Sequence, residues 1–129
     1  MFAFPKKERL CTKDRIERLF SQGKAFISYP FSVRYSICKE KRGELGVLIV
    51  CSKRYQKRAV DRNYIKRRIR EAWRLNNSSL KTRLMENKVN MDVSLSFVSK
   101  ELYNYHDIEQ QIQKILQNLE NSLINYRSS

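Results

Sequence analysis

The chain has 129 residues, enough for one hydrophobic core and short for two, and its 41% hydrophobic content excludes a disordered polymer. The formal charge of +14, from 27 Lys and Arg against 13 Asp and Glu, predicts a nucleic-acid partner ahead of an anionic membrane surface. No apolar run reaches the ~18 residues of a membrane span and no charged-then-apolar leader opens the sequence, so the expectation is a cytoplasmic protein with no membrane partner.

Met1 to Leu10 has neither helical nor alternating periodicity and reads as an extended arm. Thr12 offers an N-cap, Asp14 suits a first turn, and Ile16, Leu19 and Phe20 form an apolar stripe that Gly23 ends. Between Ala25 and Cys38, Phe31, Val33, Tyr35 and Ile37 alternate with Ser32, Arg34, Ser36 and Cys38, the period of a half-buried strand. A further strand before Pro30 is weighed as an addition. The polar side of this segment carries a cation and could floor a wet groove. Lys39 to Glu44 is a charged turn, and Leu45 to Val50 is a continuous apolar run typical of a central strand covered on both faces.

Lys53 to Arg74 is the most informative stretch. Ten of its twenty-two residues are Lys or Arg, opposed only by Asp61 and Glu71. At 100° per residue, Ile69, Ala72 and Trp73 fall within about 80° of Ile65, a seam that can be buried on a sheet. Asn63, Lys66, Arg67, Arg70 and Arg74 fall on a separate arc. Arg62 projects beside the apolar seam at the helix start. Beyond Asn76 to Ser79, Leu80, Leu84 and Met85 suggest a second amphipathic segment. Val93, Leu95 and Phe97 alternate as a strand, and Asn104 caps a last helix in which Ile108, Ile112, Ile115, Leu116, Leu119 and Leu123 recur. The expected fold is α+β, a two-layer sandwich of one mixed sheet with packed helices in the order α-β-β-β-α-β-α, as a single domain over residues 1–129.

Cations on one helical arc neutralise phosphates and release counterions. A helix held to a sheet by its own apolar seam, with no second helix at helix-turn-helix spacing, suits a folded RNA backbone better than a DNA major groove. Ile16, Phe20 and Tyr64 are candidates for contact with bases, with plain core as the competing reading of Ile16 and Phe20. Catalytic or metal-binding chemistry finds little footing. Cys11, Cys38 and Cys51 lack C-x-x-C spacing, His106 stands alone, and Asp61 and Glu71 lie ten residues apart among cations. We therefore expect no catalytic residue and no metal ligand.

SKR, AVDRN and IKRRIRE, read together as AV-x-RN-x-x-KR-x-x-R, resemble the signature of the bacterial ribonuclease P protein family, small basic partners of a catalytic RNA. The resemblance implies that the RNA performs the hydrolysis with Mg²⁺, that the protein binds no cofactor itself, and that it joins the RNA as a monomer in a 1:1 ribonucleoprotein. It implies that the protein assists removal of the 5′ leader from precursor tRNA. Matched to the family pattern, Arg62, Asn63, Lys66, Arg67 and Arg70 take its basic-helix positions, Lys53 and Arg54 the basic pair before them, and Phe20 a cleft aromatic; Arg58 and Arg74 join the expected RNA-binding residues, and Ile16, Arg34 and Tyr64 join Phe20 in the expected leader cleft. The resemblance also implies a left-handed βαβ crossover, against the usual right-handed preference. Three positions depart from the family pattern: Tyr64 stands where Arg is frequent, and Ile16 and Arg34 stand where aromatics are frequent, which makes the cleft less stacking and more electrostatic. The Tyr55 to Arg58 loop also lacks a glycine. The competing assignment is a ribosome-associated RNA-binding protein without processing activity.

Overall fold

The computed structural model describes residues 13–38 and 43–128. The elements are α1 (Lys13–Gln22), β1 (Lys24–Ser28), β2 (Phe31–Cys38), β3 (Leu45–Cys51), α2 (Ala59–Asn76), α3 (Ser78–Asn87), β4 (Asn90–Phe97) and α4 (Tyr105–Ser128). The expected order holds, and the Leu80 to Met85 segment is a helix of its own, α3. The N-terminal arm, the Thr12 cap, Cys11 and most of the charged turn after β2 lie outside the described residues.

The four strands form one mixed sheet in the order β1-β2-β4-β3. β1 and β4 run antiparallel to β2, and β3 runs parallel to β4, so the chain crosses from β3 through α2 and α3 before returning. The strand weighed before Pro30 is β1, joined to β2 by the turn at Tyr29 and Pro30. The expectation for β3 is corrected in position: it is an edge strand, hydrogen-bonded to β4 alone. Its apolar run arises because α2 packs against it, while β2 and β4 occupy the centre.

The register sorts side chains into rows. Phe26, Val33, Leu95 and Ile49 align across one face, as do Phe31, Phe97 and Cys51. This face packs against α2 and α4, whose apolar residues complete one core with Trp73, Ile108, Ile112 and Leu119 fully buried. Removing these side chains from water is the main favourable term holding the layers together. Asn104 Oδ1 accepts the backbone N–H of Asp107 at 2.9 Å, the expected cap of α4. The opposite face carries the rows Ala25–Arg34–Ser94–Leu48 and Ile27–Ser32–Ser96–Val50. α1 crosses this polar face, anchored by the buried Leu19 and packed on β2 and β4. At Gly23 the chain turns so tightly that an added Cβ would stand 2.2 Å from the Leu19 carbonyl oxygen and 2.9 Å from that of Tyr35.

Candidate nucleic-acid interface

The seam expected for the basic helix is the one observed. Ile65, Ile69, Ala72 and Trp73 are buried against the sheet and α4, which fixes the rotation of α2 and turns the basic arc outward. Asn63, Arg67 and Arg70 are exposed on that arc, with Lys66 and Arg74 half-buried at its borders. Lys66 and Arg62 lie toward β3, close enough for their charge to act on the Cys51 thiol. Burial pushes that thiol's pKa up and the two cations partly offset the rise. Arg74 pairs with Glu71 at 2.9 Å, and Arg58 lies 4.0 Å from Asp61. Lys53, Arg54, Lys66, Arg67 and Arg70 form no salt bridge with a described carboxylate. Their charge is left uncompensated on a rigid support, a field that favours a polyanion.

The Lys53 to Arg58 loop is not a loose connection. Gln56 is 4% exposed, and its Nε2 donates to the carbonyls of Ser99 at 2.9 Å and Glu101 at 3.1 Å, tying this loop to the one after β4. Arg62 Nη1 donates in turn to the carbonyls of Gln56 at 3.0 Å and Lys57 at 2.9 Å. The arginine placed by sequence at the rim of the helix is thus a clasp on the loop that presents Lys53 and Arg54. Gln56 escaped the sequence reading, because a buried glutamine in a polar loop leaves no periodic signal.

On the polar face Arg34 meets Phe20. Arg34 Nη1 donates to the Phe20 carbonyl at 3.1 Å, satisfying an acceptor at the end of α1, and its guanidinium lies 5.4 Å from the ring centroid. Phe20 is 46% exposed, so it is not plain core, and Ile16 is half-buried one turn earlier. Beside α1 the Leu48, Val50 and Ser96 positions of this face are half-buried, while Ser94 is buried. Val50 leads through Cys51 into the Lys53 to Arg58 loop.

Tyr64 does not join Ile16, Phe20 and Arg34. It sits on α2, packed at the margin of the core on the other side of the sheet, where Arg68 stacks over its ring with 3.5 Å between guanidinium carbon and centroid. The sequence pattern placed Tyr64 on the right helix but carried no information about the layer. Among the described residues no group of three or more His, Cys, Asp or Glu side chains could hold a metal ion, and no helix is long and apolar enough to cross a membrane.

The family model described as Ribonuclease P matches residues 4–120. The chain is 38% identical over 116 residues to the ribonuclease P protein component of Porphyromonas gingivalis ATCC 33277, covering 89% of this chain and 85% of that protein. It is 38% identical over 82 residues to the ribonuclease P protein component of Chlorobaculum tepidum. Among solved structures, the Staphylococcus aureus RNase P protein superposes with a TM-score of 0.63 at 23% identity, covering 88% of this chain and 96% of that one. The Thermotoga maritima RNase P protein superposes at 0.60 and 20% identity, covering 86% and 96%. A family match spanning most of the sequence, and a relative of this identity over nearly all of it, show that the chain belongs to the ribonuclease P protein family.

Proposed function

We propose that this chain is the protein subunit of a ribonuclease P, binding the catalytic RNA through α2 and the 5′ leader of precursor tRNA along the polar face of the sheet, and so assisting leader removal. The observation that carries the reading is the arc of uncompensated cations on a helix whose rotation is locked by Ile65, Ile69 and Trp73. Lys66, Arg67 and Arg70 neutralise backbone phosphates, Asn63 adds hydrogen bonds, and the clasped loop brings Lys53, Arg54 and Arg58 to the same polyanion. A single strand follows this face beside α1, with Phe20 offering a ring edge and Arg34 a cation. Phosphodiester hydrolysis belongs to the RNA, which would hold the Mg²⁺ ions; the protein acts as a 1:1 partner in the cytoplasm. The ribosome-associated alternative gains no support from the family match.

Reconstitution tests this reading. The protein alone should leave precursor tRNA intact, and with the matching catalytic RNA at low Mg²⁺ it should raise cleavage at the mature 5′ end. With ~6 to 10 phosphate contacts, affinity for that RNA should fall on the order of 10³ to 10⁵ between 50 and 200 mM salt. Metal-dependent cleavage by the protein alone would overturn the accessory role.

A further inference from the structure

We propose that Tyr64 and Arg68 form a second RNA contact, a preoriented fork for one backbone phosphodiester, on the flank of α2 opposite Lys66. The inference rests on the RNA-binding reading above and extends it to a residue outside the Lys66, Arg67 and Arg70 arc. At ~100° per residue both Tyr64 and Arg68 lie roughly 160° around the helix from Lys66. Helical side chains lean toward the N-terminus, so Arg68 reaches the residue one turn before it, and that residue is an aromatic ring. The 3.5 Å separation is that of a guanidinium lying on the ring.

The surroundings explain why this cation is kept for a partner outside the chain. Glu71, three residues on, is within helical reach of Arg68 but pairs with Arg74 at 2.9 Å. Arg68 forms no salt bridge with a described carboxylate, and its Nε is buried without a hydrogen-bond partner. Tyr64 is itself packed against the core, so the ring beneath the guanidinium is fixed from below. A stacked arginine has lost much of its rotamer freedom before binding, and its two Nη groups keep the planar geometry that matches phosphate oxygens. Arg67 and Arg70 on the adjoining arc hold the local field positive, which favours a phosphodiester. The phosphodiester could belong to the catalytic RNA or to precursor tRNA, and the two arms of the test separate them.

Affinity of the full chain for the catalytic RNA, and of the reconstituted complex for precursor tRNA, should be measured across a KCl series for the parent, Arg68→Ala, Arg68→Gln and Tyr64→Leu. Arg68→Ala and Arg68→Gln should each lower the slope of log affinity against log salt by about 0.7 to 0.9, the mark of one lost phosphate contact, with about a tenfold loss at low salt. Arg68→Gln keeps a planar group over the ring, so it reports lost charge even if Arg68→Ala disturbs folding. Tyr64→Leu should keep the slope and lose a smaller, roughly twofold to fivefold affinity, because the cation remains but is no longer held. A change confined to one arm assigns the phosphodiester to that RNA. Unchanged slopes in both arms, with or without lost affinity, overturn the site. A parent that fails to bind the catalytic RNA would instead overturn the broader reading.

Discussion

Replacing Gln56 by Ala should loosen the basic loop without touching a single cation. The side chain is 4% exposed, and its amide donates to two backbone carbonyls at 2.9 and 3.1 Å. Each such bond contributes about 1 kcal/mol net, and stranding the more buried acceptor, the Ser99 carbonyl, adds to the loss, giving about 2 to 3 kcal/mol. For a chain of this length that corresponds to about 6 to 12 °C in Tm, readable by circular dichroism. Affinity for the catalytic RNA should fall several-fold more than in a variant of equal stability loss placed elsewhere, because Lys53, Arg54 and the Arg62 clasp lose their anchor. Gln56→Glu should be worse than Gln56→Ala at pH 7, since a carboxylate only accepts and would face two carbonyl oxygens. Those acceptors raise the carboxyl pKa in the folded state. The contribution of the introduced carboxyl is therefore most favourable below the unfolded value of about 4.3 and is lost as pH rises through the folded value, so the deficit of Gln56→Glu should narrow in acid. A parent-like Tm for Gln56→Ala, or a lowered Tm with unaltered RNA affinity, would refute the link between this side chain and the interface.

Trp73→Ala empties the largest fully buried site on α2 and should cost about 3 to 5 kcal/mol, lowering Tm by about 10 to 20 °C in the same thermal scan. Gly23→Ala drives a Cβ onto the backbone oxygens of Leu19 and Tyr35, which cannot swing aside as a side chain would. The α1 end must shift, at about 1 to 3 kcal/mol by denaturant unfolding, and leader contact should weaken with it. Cys51, buried and with its pKa pushed up, should resist iodoacetamide at neutral pH while the half-buried Cys38 reacts. Equal labelling of the two in the folded protein, read by peptide mass mapping, would contradict the packing of α2 on β3.

Local pattern carried much of this fold. The 3.6-residue spacing of Ile65, Ile69, Ala72 and Trp73 specifies the buried side of α2 because helix geometry converts spacing directly into direction, and the alternation from Phe31 to Cys38 does the same for β2. Strand adjacency is a long-range property. The apolar run of β3 looks like a central strand because one helix and one neighbour suffice to shelter it, and only the pairing with β4 places it at an edge. The same limit explains Tyr64, on a helix correctly read yet separated by the sheet from Phe20 and Arg34. Arg62 was legible as a rim residue from its wheel position. Its carbonyl partners were not, since they depend on the path of the Lys53 to Arg58 loop, which has no periodicity to read.

Reconstitution with a variant carrying Lys66→Ala, Arg67→Ala and Arg70→Ala bears hardest on the role assigned to α2. These cations sit on the helix without a salt-bridge partner among the described residues, so their removal should leave Tm near that of the parent. The variant should lose the stimulation of precursor tRNA cleavage at low Mg²⁺, and its salt slope for the catalytic RNA should fall by about 2 to 3, three contacts at roughly 0.7 to 0.9 each. Parent-like stimulation with a parent-like slope would mean that RNA docks on some other surface of the protein.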